Sequence, residues 1–380
     1  MTIISISEDT EFQLREQEGA KRIYVDKGGI RCDVEPQPAG KDMKLITPHA
    51  EMEVMGTVFR ISVKSISTRV DVDKGKVQLK CIADGKSVEV PKGSAAIAGT
   101  SLVHFTGRSA SLWGSYGTYA NPPRKPDGRI DCDRLISELE ELQVNTYNFI
   151  ISNGEKDWKD LQFFLPKARK KNLNVWVTLP GPRALVLRKW HTTELFGLNY
   201  AKWGEEIAKL SIREPNLKAW VIDNFSHELK TNFTPAKVRK ITNRCRKFNP
   251  DLAFVPICYF HEVDKKMVQN YKGLIDGIVF PYRRDSKTET FTSWKEADNE
   301  ITLLKKLLGP SVPVIIYVYA SRHSRIGISK PEFVREVMKA GRRGGDGVII
   351  LRHQKKGTDK WNIIKNLFNS WADEGYTGPK

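Results

Sequence analysis

The sequence of 380 residues predicts a (β/α)8 TIM-like barrel that follows a small N-terminal all-β domain, a β-roll or sandwich. Short runs of alternating polar and apolar residues fill the first hundred positions, and strands alternate with amphipathic helices from residue 131 onward. The later strands are nearly continuous apolar runs, as parallel strands buried on both faces are. We therefore divide the chain into an all-β domain at 1–100, a linker at 101–125 that leads into the first barrel strand, and a barrel at 112–376.

The N-terminal domain is predicted from alternating runs such as Val58–Val63 and Thr68–Val72. Glycine and aspartate turns such as Asp73–Gly75 separate these runs, and no helical periodicity lies between them. Regular short strands with turn residues between them are typical of a small sandwich or β-roll.

The barrel is predicted from eight apolar runs that alternate with eight amphipathic segments. Thr234-Pro235 and Lys330-Pro331 carry the residue types that begin helices. An open doubly wound sheet is the alternative, but no Gly-x-Gly-x-x-Gly follows the first strand. The predicted strands are 112–119, 146–152, 174–180, 219–225, 253–260, 276–283, 313–321 and 346–353, and the predicted helices are 131–142, 157–171, 198–211, 235–248, 262–272, 292–308, 330–341 and 358–373.

The charge of the chain is strongly positive, with 62 Lys and Arg against 45 Asp and Glu and a formal net charge of +17. Such a balance favours polyanionic partners: nucleic acid, anionic lipid surfaces or acidic polysaccharide. The sequence contains no recognised nucleic-acid motif, so we expect no nucleic-acid partner. It also contains no run of eighteen apolar residues, so no membrane-spanning helix is predicted.

Cofactors and metals are not expected from the motifs present. The five cysteines show no Cys-x-x-Cys spacing, which disfavours a structural zinc site, and their odd number gives no disulfide framework. The sequence has no phosphate-binding glycine loop, no His-Glu-x-x-His and no Gly-x-Ser-x-Gly. A calcium ion held by scattered loop oxygens remains open, because it leaves no fixed spacing.

Asp223 is the sharpest candidate for catalysis, because in such barrels the site lies at the carboxyl ends of the strands. It directly follows the apolar run Trp220–Ile222, where burial raises the pKa of a carboxyl group and suits it to general acid catalysis. A glycosidase also needs a second carboxylate, for which Glu228, Glu262 and Asp285 are candidates. The seventh strand supplies no carboxylate, which argues against an acid on strand four paired with a nucleophile on strand seven.

Basic and aromatic residues converge on the predicted ends of the later strands. Arginine forks suit carboxylate or sulfate groups, and tyrosine rings offer apolar faces and hydroxyls to sugars. This pattern predicts an anionic polysaccharide or oligosaccharide as the ligand. The predicted substrate-binding residues are Asn148, Asn224, His227, Tyr259, Tyr282, Arg283, Arg284, Tyr319, Arg322, His323, Arg352 and His353.

The N-terminal segments Thr47–Phe59 and Thr68–Val77 resemble the core of the FecR domain family, whose pattern runs TP-A-EVLGT-F and then T-V-V-G-V. The resemblance implies a β-rich extracytoplasmic module that serves in sensing or as an accessory to surface proteins, and it implies no chemistry. We therefore expect a periplasmic, cell-surface or secreted location, with the leader outside this sequence.

The barrel segments Asp157–Leu161, Val175–Pro180, Trp203–Ser211 and Pro215–Ser226 resemble a largely uncharacterised bacterial family of glycoside-hydrolase-like barrels, over about residues 112–375. The family pattern after the fourth strand is Asp-Asp-Phe, whereas this chain has Asp223-Asn224-Phe225. If the second aspartate supplies a needed charge, this protein is slow or only binds. If the amide instead hydrogen-bonds a sugar hydroxyl, activity survives.

Three hypotheses follow for the function. The first is a glycoside hydrolase on a uronate-containing or sulfated polysaccharide, with Asp223 as general acid/base and Glu228 or Asp285 as the second carboxylate. The second is a polysaccharide lyase on the same substrate class, using Tyr, His and Arg. The third is a non-catalytic carbohydrate-binding surface protein. The sequence does not name the sugar, the linkage or the oligomeric state.

Overall fold

This computed structural model describes residues 2–6, 10–17, 20–36, 43–54, 56–63, 67–105, 107–183, 195–283, 293–309, 311–323 and 327–373. The chain divides into two compact units, at residues 1–110 and 111–372. Each unit has its own hydrophobic core. In the described parts of both, no helix has the length and apolar character needed to cross a membrane.

The N-terminal unit is an all-β domain, as predicted. Its strands are β1 Ile3–Ile6, β2 Glu11–Gln17, β3 Ala20–Asp33, β4 Met43–Ile46, β5 Ala50–Val54, β6 Val58–Val63, β7 Thr68–Lys74, β8 Lys76–Cys81, β9 Ser87–Pro91, β10 Ala95–Ala98 and β11 Leu102–Phe105. They join one sheet in the order β11-β10-β7-β6-β3-β4-β5-β8-β9, and β1 and β2 both pair with the long strand β3.

The core of this domain follows from the alternation seen in the sequence. Successive strand residues point to opposite faces, and along β8 the buried residues Val77, Leu79 and Cys81 alternate with exposed ones. Val77 pairs across the sheet with Val54, and both side chains are fully buried. One apolar face per strand is therefore enough to build this core.

The second unit contains eight parallel strands. They are β12 Ser115–Tyr119, β13 Thr146–Ile150, β14 Asn174–Leu179, β15 Leu217–Ile222, β16 Ala253–Phe254, β17 Ile278–Pro281, β18 Val314–Tyr319 and β21 Gly347–Leu351, with a short hairpin of β19 Arg322–His323 and β20 Gly327–Ile328. The parallel strands follow one another in the order β16-β15-β14-β13-β12-β21-β18-β17. A parallel bridge between Ile257 and Val279 joins the two ends of this order, and the Cys258 N–H donates to the Val279 carbonyl at 2.9 Å. The strands therefore close into the predicted (β/α)8 barrel.

Helices surround the strands. They are α1 Cys132–Glu141, α2 Glu155–Lys170, α3 Tyr200–Arg213, α4 Pro235–Phe248, α5 Lys265–Tyr271, α6 Ala297–Leu308, α7 Pro331–Gly344 and α8 Asp359–Asp373, with short 3-10 helices at Gly107–Leu112, Phe225–Glu228 and Phe260–Glu262. Polar residues cap the N-termini of three helices: the first turns of α1, α3 and α5 donate backbone hydrogen bonds to the side chains of Asp131, Asn199 and Asp264. Proline occupies the first turns of α4 and α7.

The apolar strand residues divide between two layers. Val279 and Ile315 belong to the cluster inside the barrel, whereas their neighbours Ile278 and Ile316 belong to the cluster between strands and helices. Trp176, which is fully buried, also fills the interior. The barrel is therefore a packed core, and any ligand site has to lie at its rim.

Candidate functional site

Asp223 lies at the rim of the barrel, directly after β15. Its N–H donates to the Leu179 carbonyl at 2.9 Å, and its Oδ1 accepts from the Asn224 N–H at 2.8 Å. A Cβ on Gly181 would lie only 2.3 Å from the Asp223 carbonyl oxygen, so glycine allows the two loops to approach. Asn224 has φ 54°, ψ 28° and turns the chain away from the strand. The predicted strand 219–225 therefore ends three residues early, at Ile222.

Four tyrosines lie within electrostatic reach of Asp223. Burial, and after it the negative charge of Asp223, raises the pKa of Tyr119, Tyr317 and Tyr200. The pKa of Tyr259 is raised first by burial, then by Tyr319 and then by Asp223. The aspartate predicted from sequence therefore has several buried phenols near it.

Asn148 forms the floor beneath these rings. The Thr178 hydroxyl donates to Asn148 Oδ1 at 2.7 Å, and Asn148 Nδ2 donates to the Tyr317 phenol oxygen. The Tyr317 ring in turn stacks on Tyr119 with centroids 5.2 Å apart. Asn148 is fully buried. We predicted that it binds substrate, but the structure gives it the role of orienting Tyr317.

Tyr259 gathers three other predicted residues around its ring. Its hydroxyl donates to Asn224 Oδ1 at 2.8 Å. The His227 ring stacks on it with centroids 4.3 Å apart and an interplanar angle of 10°. The Arg283 guanidinium carbon lies 4.2 Å from the Tyr259 centroid, a cation–π contact. The structure therefore brings Asn224, His227, Tyr259 and Arg283 together.

Glu262 joins this cluster from the loop after β16. The Ser226 hydroxyl donates to Glu262 Oε2, and His227 Nδ1 lies 2.6 Å from Glu262 Oε1. Burial disfavours the charged form of Glu262, but the bonds from His227 and Ser226 and the charge of Arg283 lower its pKa overall. The sequence offered Glu262 only as one of three carboxylates. Its pairing with His227 depends on two loops that meet in space, and no local pattern marks it.

Glu228, predicted as a possible second carboxylate, has one of its two oxygens bound within its own loop. Its side chain is buried, and Oε2 accepts hydrogen bonds from Thr231 Oγ1 at 2.9 Å and Asn232 Nδ2 at 3.0 Å. Arg183 Nε lies 3.3 Å from Oε1. These contacts make Glu228 a brace of its own loop.

Basic residues from the last strands reach the same mouth. Arg283 Nη1 lies 3.4 Å from His323 Nε2, and the His323 ring meets Tyr319 edge-on. The charge of Arg352 acts on Tyr119, where it opposes the rise in the pKa of that phenol. Arg322 is exposed on the β19–β20 hairpin.

Tyr282 and His353 are corrections to the predicted set. Tyr282 is fully buried and packs against Phe280 and Phe333 between the barrel and its helices. His353 is 3% exposed, and its ring nitrogens contact Thr118 Oγ1 at 3.0 Å and Glu138 Oε2 at 2.9 Å. Both side chains pack within the barrel wall.

Two further predicted residues, Arg284 and Asp285, lie outside the described residues.

The described residues were also compared with the arrangements that bind metal ions. Across the described ranges, no group of three or more His, Cys, Asp or Glu side chains is arranged to hold a metal ion.

One family model matches the N-terminal part of the chain. Residues 1–78 match the family model described as FecR protein, which confirms the resemblance of the N-terminal domain. No curated protein matches the sequence.

Similar solved structures include glycosidases. A GH113 beta-1,4-mannanase is 12% identical, with a TM-score of 0.47, over 68% of this chain and 99% of that one. The Bacteroides uniformis beta-glucuronidase is 11% identical, with a TM-score of 0.45, over 92% of this chain but only 45% of its own. A Rhizomucor miehei chitinase is 8% identical, with a TM-score of 0.42, over 67% of this chain and 99% of its own. At such scores we draw no conclusion about activity from them.

Proposed function

We propose that the barrel is a glycoside hydrolase that acts on an anionic polysaccharide, with Asp223 as its general acid. The observation that carries the proposal is the position of Asp223. Its carboxylate lies half-buried at the rim, within electrostatic reach of Tyr119, Tyr259 and Tyr317. Protonation of a glycosidic leaving oxygen needs a carboxyl group at such a place.

The ligand class follows from what surrounds the aspartate. Tyrosine rings offer flat apolar faces to sugars, and their hydroxyls offer hydrogen bonds. Arg283 stands over Tyr259, and Arg352 acts on Tyr119, so a cation accompanies two of these rings. Guanidinium forks pair well with carboxylate or sulfate groups, and the net charge of +17 favours approach of a polyanion.

Hydrolysis is favoured over elimination by the state of the tyrosines. A tyrosine that abstracts a proton works best when neighbouring positive charge lowers its pKa. Here burial and Asp223 raise the pKa of Tyr119, Tyr259 and Tyr317. These phenols are better suited to donating hydrogen bonds to sugar oxygens than to acting as the base of a lyase.

We further propose an extracytoplasmic location, in which the FecR-like domain accompanies the barrel. The FecR match at residues 1–78 supports it. Fractionation of cells that express the native gene tests it, because recovery of the protein with cytoplasmic markers alone would oppose this location.

The direct test incubates the full chain with uronate-containing, sulfated and neutral polysaccharides and detects products by mass. We expect cleavage of an acidic polymer and a loss of at least about 100-fold in Asp223→Asn. Asp251→Asn is the matched control, because this exposed aspartate precedes β16 at the opposite end of the barrel. Full activity of Asp223→Asn would reject the assignment. An unsaturated product would indicate a lyase, and binding without product would indicate a non-catalytic role.

A further inference from the structure

Hydrolysis at this mouth needs a base as well as an acid, because a water molecule must lose a proton as it attacks. The described carboxylates near Asp223 are poorly placed to activate a water molecule. Glu228 is buried, with Oε2 held by its own loop and Oε1 in an ion pair with Arg183, and both oxygens of Glu262 are bound, one by Ser226 and the other by His227. We therefore look for the base among the more exposed side chains of the mouth.

His227 has the geometry of such a base. Its Nδ1 lies 2.6 Å from Glu262 Oε1, and a carboxylate at that distance holds the proton on Nδ1. In this tautomer Nε2 carries a lone pair that can accept a proton. Within the described part of the chain, Nε2 of His227 makes no hydrogen bond, and the side chain is 30% exposed.

The orientation of the imidazole is fixed from two sides. Its face stacks on Tyr259, whose hydroxyl is bonded to Asn224, the residue next to Asp223. Its partner Glu262 is anchored by Ser226, which is itself buried and accepts from the Tyr259 N–H at 3.0 Å. The imidazole of His227 is therefore held in one orientation, because the carboxylate that contacts it is itself anchored.

We propose that His227, positioned by Glu262, is the general base of the barrel. This inference rests on the proposed function. In the step, His227 Nε2 takes a proton from water while the water oxygen bonds to the anomeric carbon. The glycosidic C–O bond breaks, and its oxygen takes the proton of the Asp223 carboxyl. Solvent then returns a proton to Asp223 and removes one from His227, and the single displacement inverts the anomeric configuration.

The charged and titratable groups around His227 come from three loops. Asp223 precedes it on its own loop, Tyr259 and Glu262 face it from the loop after β16, and Arg283 reaches the same cluster after β17. Among the described residues, only Glu262 contacts an imidazole nitrogen directly. Glu262→Gln therefore removes the carboxylate that orients the ring with little change in shape.

The first experiment compares His227→Ala with His261→Ala, using the polymer that the wild type cleaves. His261 is an exposed histidine next to Glu262 and serves as the matched control. We expect His227→Ala to lose about 100- to 10,000-fold in kcat with KM little changed, and added imidazole to restore part of it. His261→Ala should retain wild-type turnover. Thermal melting of both variants checks that they fold.

The second experiment measures kcat and KM of Glu262→Gln with the same polymer. Loss of the carboxylate removes the group that orients the imidazole, so kcat should fall while KM changes little. A merely structural role for Glu262 would lower the melting temperature and leave kcat of the folded enzyme unchanged. NMR of the first product anomer should show inversion.

The outcomes separate the two proposals. If Asp223→Asn is inactive but His227→Ala keeps full activity and Glu262→Gln keeps the wild-type kcat, the base assignment is overturned and the hydrolase stands. A retained anomeric configuration also overturns the base assignment. If the wild type cleaves no polysaccharide, both proposals fall.

Discussion

Asp346 provides a quantitative test of the barrel, because it ties three strands together at the end opposite to the mouth. Its Oδ2 accepts from the Val314 N–H at 2.8 Å, and Oδ1 pairs with Lys305. Its own N–H donates to the Val314 carbonyl, and its carbonyl accepts from the Gly114 N–H. The carboxyl group is thus buried at the bottoms of β12, β18 and β21.

Burial raises the pKa of Asp346 from its usual 3.8 to about 6, although Lys305 and the Val314 N–H oppose the rise. A shift of about two units corresponds to about 3 kcal/mol. The folded state holds this proton more tightly than the unfolded state. The contribution to stability is therefore complete below about pH 4 and is lost as the pH rises through about 6.

We expect the free energy of unfolding of the wild type, relative to Asp346→Asn, to fall by about 2 to 2.5 kcal/mol between pH 4 and pH 7.5. Asparagine keeps an acceptor for the Val314 N–H but does not titrate. Equilibrium urea unfolding of both full-length proteins at several pH values measures this difference, and the N-terminal domain cancels because it is common to both. A difference that is constant with pH, or that grows as the pH rises, would refute the reasoning.

Three further predictions concern packing. Gly117→Ala should destabilise the barrel by more than about 3 kcal/mol, because its Cβ would lie 1.7 Å from the Thr146 carbonyl oxygen; chemical denaturation measures it, and near-wild-type stability would contradict the close approach. Gly204→Ala should be neutral or stabilising by up to about 1 kcal/mol, because the new Cβ meets neighbours at ordinary distances and alanine favours helix; a marked loss in the same assay would oppose this. His353→Ala should cost about 1 to 3 kcal/mol, since it leaves Oε2 of the buried Glu138 without its imidazole partner while Oε1 keeps Arg134; an unchanged melting temperature would show that the pair contributes nothing.

Most of the barrel could be predicted because each strand is a compact apolar run between helix signals. The predicted helix 235–248 matches α4, since Thr234 and Pro235 mark its start. The end of β15 could not be placed from the sequence. Phe225 continues the apolar run, but it packs on Phe233 and Phe254 from a 3-10 turn and not from a strand. Apolar composition reports burial and does not report where the backbone turns.

The sequence places candidate residues at the ends of strands, but it does not give the direction in which each side chain points. Both faces of a parallel barrel strand are apolar, so the sequence does not show which alternate set points inward. Once Val279 is known to face the interior, alternation directs Arg283 to the mouth and Tyr282 to the helices. The contact between His227 and Glu262 spans two loops, and sequence spacing carries no information about it.

The filled interior below Asp223 also constrains how a substrate of the proposed activity would bind. Because Trp176, Val279 and Tyr317 occupy the described interior, a polysaccharide would have to lie across the end of the cylinder. Under the proposed hydrolysis, each fragment would then leave by the opening through which the next chain arrives, so fragments should compete with intact polymer for the same surface.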